Sequence, residues 1–255
     1  MPDMTSNIEP KFLKRTNKPD VAYIQYQGTS NSPTILFLGG FRSDMMGSKA
    51  SFLHTQCEAR GQSYVRFDYS GHGQSGGEFE KGCISDWCQD AQDVLDHVIS
   101  GDVILVGSSM GGWISLLLAR DNSARIKALV GIAAASDFTG WMEERMSDLQ
   151  KQALQEEGFF ELPSDYGSPY IITKKLIEDG RKNFLLTNKI DIDIPVRLLQ
   201  GKQDKDVPWQ TAEDIKQALV SQDVEIIYRE ESNHSLSSPE DLSVLNDVIT
   251  KIFSA

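Results

Sequence analysis

The chain has 255 residues, enough to bury one sizeable core as a single domain with room for an insertion. Its 25 basic and 37 acidic side chains leave a net charge of −12. Such a field repels nucleic acid and anionic membrane surfaces, so no nucleic-acid partner is expected.

The first residues, MPDMTSNIEPKFLKRTNKPD, lack an apolar stretch flanked by basic residues and carry acids that an Arg-rich transit segment avoids. No window approaches the roughly 20 apolar residues of a spanning helix, so the expectation is a soluble, cytoplasmic protein without a membrane span. VAYIQYQ and TILFLGG read as extended, KASFLHTQCEARG as a helix stopped by Gly61, and SYVRFD as extended again. In ISDWCQDAQDVLDHVIS, Ile84, Trp87, Cys88, Ala91, Val94, Leu95 and Val98 recur at three and four, the stripe of an amphipathic helix. DVILVG is too apolar for a strand with one wet face and suits the middle of a parallel sheet. GGWISLLLAR follows as helix and IKALVGIAAA as strand. VRLLQG, WQTAEDIKQALV, DVEIIYRE and PEDLSVLNDVITKIF then alternate strand and helix to the end.

This alternation predicts an α/β fold with an open, mostly parallel sheet and right-handed crossovers. Residues 136–194 break the rhythm. They are polar and helix-biased (WMEERMSDLQKQALQEEG), with loop chemistry in ELPSDYGSPY and no strong strand candidate. They read as a small helical cap inserted between two late strands of one domain spanning residues 1–255.

The run VILVGSSMGGW carries G-x-S-x-G between a buried strand and a helix. That placement describes a nucleophile elbow, with Ser109 in a strained position and glycines at 107 and 111 where a β-carbon would collide. A serine hydroxyl needs a base to take its proton and an acid to orient that base. Sheets with this elbow carry them in the order Ser, acid, His. His234 in REESNHSLSSPED is the one histidine after Ser109. In LLQGKQDKDVPW, Asp204 and Asp206 compete for the acid; Asp204, three residues past Gly201, is favoured. The oxyanion donors are expected from the Met110 N–H, at the helix start, and the Phe41 N–H in FLGGFRSDMMG, where Gly39 and Gly40 let the backbone approach. Trp113, Phe138, Trp141 and Met142 are pocket candidates by position, although large apolar residues also read as plain core.

FDYSGHGQSGG fits neither G-x-x-x-x-G-K-[ST] nor a dinucleotide fingerprint, and its His72 precedes the nucleophile. It reads as a tight loop beside the site with His72 structural. Cys57, Cys83 and Cys88 cannot all pair with one another and lack zinc-like spacing, so they read as buried thiols with no metal.

Together GSSMGG, GGF, FDYSGHGQSGG, GKQDKDVP and the late NH resemble the serine α/β-hydrolases from about residue 20 onward. RFDYSG, ILVGSSMGGW and RLLQGKQDKDVPW are most similar to the subgroup of the mitochondrial acyl-protein (palmitoyl) thioesterase and acyl-glucuronide esterase. The resemblance implies Ser109 as nucleophile, Asp204 as acid, His234 as base, and Phe41 and Met110 as oxyanion donors. The implied reaction is hydrolysis of an ester or thioester, on a small molecule or an acylated protein, through an acyl-enzyme without metal or organic cofactor. The same three residues also serve C–C bond and peptide hydrolysis. A catalytically idle ligand-binding protein has little need of all three.

Overall fold

The computed structural model describes residues 9–163 and 169–254. The N-terminal reading of residues 1–8 and the loop reading of residues 164–168 lie outside the described residues. In chain order the first elements are β1 (Lys11–Leu13), β2 (Val21–Tyr26), β3 (Thr34–Leu38), α1 (Ser48–Arg60), β4 (Tyr64–Phe67), α2 (Ile84–His97), β5 (Val103–Ser108), α3 (Met110–Asp121) and β6 (Ile126–Ile132). There follow α4 (Phe138–Glu144), α5 (Asp148–Glu156), β7 (Phe159–Leu162), β8 (Tyr170–Thr173), α6 (Lys174–Lys182), β9 (Val196–Gly201), α7 (Gln210–Ala218), β10 (Val224–Arg229) and α8 (Pro239–Ser254).

The main sheet has the order β1-β2-β4-β3-β5-β6-β9-β10. Its β1·β2 and β2·β4 pairs are antiparallel and the rest parallel. Successive side chains of a strand point to opposite faces, and β5 is apolar on both because both are covered. Val103 and Leu105 join one core with residues of α2, α3 and α7, whereas Ile104 and Val106 join another with Leu53 of α1 and Ile249 of α8. Burying each such aliphatic side chain contributes about 1.5–3 kcal/mol, so the central strands are fixed in register where the elbow must sit. β5 and β6 hold that register with Gly107 opposite Gly131.

Residues 136–194 leave the sheet after β6 and return before β9. Asp137, in the left-handed region at φ 59°, closes the base of this excursion. Its buried carboxylate accepts the amides of Leu185 (2.9 Å) and Leu186 (2.9 Å), fastening the start of the segment to its end. The helical bias of WMEERMSDLQKQALQEEG is realised as two helices. The break falls at Ser147, whose side chain and that of Gln150 form a reciprocal cap on α5.

The expectation of no strands here requires correction. β7 and β8 pair antiparallel, with buried Phe160 opposite buried Ile172. Four residues each are too few for an alternating pattern to stand out, and the pair is stabilised by packing Phe160 and Ile172 into the core under the segment. The edge strand β1 was likewise not anticipated from KFL. Among the described residues no helix is long and apolar enough to cross a membrane.

Candidate active site

Ser109 joins β5 to α3 at φ 54°, ψ −119°, a conformation that costs a residue with a β-carbon on the order of 1–3 kcal/mol. Hydrogen bonds hold it there. Its N–H donates to Ile132 O at 2.9 Å, and its carbonyl accepts from Gly112 N at 2.8 Å and Ala135 N at 3.0 Å. The flanking glycines are required by contact: a β-carbon on Gly107 would lie 2.3 Å from Gly111 O, and one on Gly111 would lie 2.1 Å from Leu38 O.

The three residues expected to act together meet, although they come from loops 95 and 30 positions apart in sequence. His234 Nε2 is 3.2 Å from Ser109 Oγ, and His234 Nδ1 is 2.9 Å from Asp204 Oδ2. Asp204 lies in the loop after β9 with its carboxylate fully buried. Its Oδ1 accepts the amides of Asp206 and Val207, each at 2.9 Å. Between Asp204 and Asp206 the geometry therefore separates clearly: Asp206 is exposed and lends its backbone to orient Asp204.

The loop carrying His234, between β10 and α8, is organised by Asp241, which accepts from Arg229 Nε (2.8 Å), Ser232 Oγ (2.6 Å) and Ser238 Oγ (2.9 Å). Burial alone would raise the Asp241 carboxyl, but these hydrogen bonds outweigh it and hold it below the usual carboxylate range. Lys49 of α1 donates its ammonium to Ser235 O from the other side. Burial pushes this lysine down to about 8, against the attraction of Asp241.

Gly40 passes against the elbow, where a β-carbon would stand 3.3 Å from Ser109 Cβ; Gly39 has open space instead and meets no such constraint. The turn continues through Phe41 and Arg42, with Ser43 N donating to Gly40 O at 3.1 Å. Met110 is the first residue of α3, where an N–H has no intrahelical acceptor. Among the described residues no hydrogen bond engages the Phe41 or Met110 amide.

These groups open into a cavity of about 640 Å³. Beneath the inserted segment its wall is apolar, with Phe138, Trp141, Met142, Met146, Phe160 and Leu162; toward α1 it is polar, with Lys49, Asp206, Ser235 and Ser237. Of the pocket candidates, Phe138, Trp141 and Met142 line this space and Trp113 does not. Trp113 is fully buried beneath it, donating Nε1 to Asn183 O at 3.1 Å and meeting Phe138 edge-on with ring centroids 5.6 Å apart. It supports the pocket wall from behind. Met146, Phe160 and Leu162 were not among the sequence candidates; for Phe160 and Leu162 the weak period-two pattern of FFEL was the one local signal, and Met146 had none.

His72 is buried and pushed down to about 4 by that burial, so its ring is neutral near pH 7. Cys57 and Cys83 are buried and Cys88 half-buried. Burial raises their thiols, to about 11 for Cys57 and about 12 for the other two. Asp204, Asp206 and His234 each offer one ligand atom within 4.8 Å of the others. The Asp204 oxygens already accept from two amides and from His234 Nδ1.

A family model described as alpha/beta hydrolase fold matches residues 33–164. The chain is 35% identical over 247 residues to palmitoyl-protein thioesterase ABHD10, mitochondrial, of Bos taurus, covering 94% of this chain and 80% of that one. It superposes on the solved structure of alpha/beta hydrolase domain-containing protein 10 from mouse with a TM-score of 0.90, at 33% identity over 96% of this chain and 98% of that one. A putative hydrolase from Agrobacterium vitis S4 gives 0.91, at 38% identity over 96% and 98% of the two chains. The cattle protein and four further mammalian relatives carry "mitochondrial" in their names. This contradicts the cytoplasmic expectation, which rested on the composition of the first twenty residues. The chain is a hydrolase of the α/β-hydrolase family and belongs to the group represented by palmitoyl-protein thioesterase ABHD10.

Proposed function

We propose that Ser109 is the nucleophile of a serine ester and thioester hydrolase, with His234 as general base, Asp204 as its orienting acid, and the Phe41 and Met110 amides as oxyanion donors. The observation that carries this reading is the hydrogen-bonded run from Ser109 Oγ through His234 to the buried Asp204 carboxylate, at the floor of a cavity with an apolar wall. Ser109 Oγ attacks the acyl carbonyl as Nε2 takes its proton; Asp204 stabilises the imidazolium through Nδ1. The two amides meet the developing oxyanion, each contributing roughly 2.7–4 kcal/mol to the barrier reduction. The imidazolium then protonates the departing alcohol or thiol. Water, deprotonated by the same imidazole, releases the acid and restores Ser109.

The substrate we assign is a long-chain acyl ester or thioester, on a protein or a small molecule. Its acyl chain lies along Phe138, Trp141, Met142 and Phe160, and its leaving group faces the polar side by Lys49 and Ser235. The reading takes residues 1–255 as one domain and residues 136–194 as its cap. Each methylene buried is worth about 0.8 kcal/mol, or about fourfold in kcat/KM. The test is a series of acyl thioesters from butyryl to palmitoyl. A rise of this order per methylene until the cavity fills is expected; a flat profile, or preference for the shortest chain, contradicts the acyl assignment.

A further inference from the structure

The segment FDYSGHGQSGG has no part in the chemistry above, yet the loop that follows β3 hangs on it by its backbone. Arg42 N donates to His72 Nε2 at 3.2 Å, and three residues later Met45 N donates to Asp68 Oδ1 at 2.6 Å. Between Gly40 and Ser43 the loop is a hydrogen-bonded turn whose third residue, Arg42, has φ 55°. In a turn of that form the third position ordinarily takes glycine. An arginine there has a standing reason to relax to the alternative turn, which it reaches by flipping the Phe41–Arg42 peptide. That flip would swing the Arg42 N–H away from His72. The contact between them therefore holds the loop in the strained form that the elbow faces.

His72 is built to accept. Its Nδ1 is 3.2 Å from Ser70 O, which can only be a donated hydrogen bond and so leaves Nε2 bare. Its ring is clamped edge-on by Phe79 (5.0 Å) and Trp87 (5.2 Å) between centroids. Phe41 packs against the same two rings at 4.9 and 5.9 Å.

We propose that His72 is a positioning residue for transition-state stabilisation: by accepting the Arg42 amide it pins the peptide that follows Phe41, and, sharing Phe79 and Trp87 with the Phe41 ring, it keeps the residue that bears the oxyanion N–H in its place in the Gly40–Ser43 turn. This rests on the reading of Ser109 and Phe41 given above. His72 itself touches no substrate.

The test compares His72→Phe, which keeps the ring and removes the acceptor, with His72→Gln, whose Oε1 can take the place of Nε2. For His72→Phe, kcat is expected to fall roughly 10- to 100-fold, less than the 10²–10³ of deleting a donor outright, with KM changed by less than about twofold. Affinity for an acyl trifluoromethyl ketone, which forms the tetrahedral oxyanion, should fall by the same factor as kcat, and His72→Gln should recover most of both. Unchanged kcat in folded His72→Phe, or a kcat loss that the ketone affinity does not follow, overturns the inference. Should the phenylalanine variant not fold, 15N NMR of the wild-type imidazole decides: a proton on Nδ1 supports it and a proton on Nε2 overturns it. A wild-type protein that turns over no ester fails the reading of the whole site. A wild type that turns over while His72→Phe matches it fails this inference alone.

Discussion

Replacing Asp204 by asparagine tests how the imidazole is held. Four donors surround the carboxylate: the amides of Asp206 and Val207 at 2.9 Å on Oδ1, and His234 Nδ1 at 2.9 Å with Gln200 Nε2 at 3.3 Å on Oδ2. An asparagine must turn its NH2 toward one pair. Facing the two backbone amides, it would leave both N–H groups without an acceptor, at roughly 1–3 kcal/mol each. Facing His234, it loses only the long contact to Gln200 and donates to Nδ1. The second arrangement wins by a few kcal/mol, and it forces the proton of the neutral ring onto Nε2. An imidazole protonated there cannot take the Ser109 proton. The expected fall in kcat is on the order of 10⁴, the loss known for the same change in a serine protease triad, equivalent to about 5 kcal/mol in the barrier. Asp206→Asn, whose exposed side chain leaves that arrangement intact, should cost less than about twofold, under about 0.5 kcal/mol in the barrier. Rates on a p-nitrophenyl ester at saturation, alongside thermal unfolding of both variants, make the comparison. A loss below tenfold in folded Asp204→Asn, or equal losses in the two variants, would refute the reasoning.

Other expectations follow from contacts already described. Gly111→Ala places a β-carbon 2.1 Å from Leu38 O and 2.5 Å from Gly39 O, forcing α3 away from the end of β3; a destabilisation of at least about 2 kcal/mol is expected, and an unchanged urea midpoint contradicts it. Lys49→Met removes a half-buried ammonium whose value drops from the ordinary 10.5 to about 8. Below about pH 8 the folded protein bears the full cost of that charge, and between 8 and 10.5 the cost fades because the unfolded chain alone keeps the proton. The variant should therefore be more stable near pH 7 by on the order of 1–2 kcal/mol, allowing for partial exposure, with the gain shrinking toward pH 10; equal gains at both pH values contradict this. Trp141→Ala opens the apolar wall and should reduce the preference for palmitoyl over butyryl thioesters at least fivefold, about 1 kcal/mol of lost contact; an unchanged ratio places the chain elsewhere.

The sheet was legible because its signals are local. A continuous apolar run such as VILV, bounded by a glycine turn, reads as a covered parallel strand whatever surrounds it, and β5 is buried at all six positions. The elbow was legible for the same reason, since Gly107 and Gly111 sit where any β-carbon collides. The order Ser109, Asp204, His234 followed from the order that sheets with this elbow carry, from positions just after strands and from His234 being the one histidine after Ser109; Ser109 and Asp204 each lie within hydrogen-bonding distance of His234. What escaped depends on tertiary partners. Trp113 was a pocket candidate because α3 is apolar on nearly every side, with ten of its residues buried, and such a helix does not reveal which face meets a cavity. β7 and β8 are too short to register as strands, and Phe160 and Leu162 were lost with them. The S-x-x-Q of Ser147 and Gln150 is a local helix-start signal and is realised as the cap of α5. His72 reads as structural and is buried; its partner, a backbone amide thirty residues earlier, is one that no side-chain pattern reports. The compartment was misjudged for another reason: charge composition near the N-terminus is weaker evidence than a whole-chain relationship to proteins named as mitochondrial.

The central claim is that an acyl group passes through Ser109 Oγ. It is tested most directly by incubating the protein with a fluorophosphonate and, separately, with a slowly turned-over acyl ester quenched in acid, then locating the adduct by peptide mass mapping. One equivalent on Ser109 is predicted in both cases, retained in Ser108→Ala and absent in Ser109→Ala. An adduct on Ser108 or another residue, or no adduct in folded protein that still hydrolyses the ester, would contradict it.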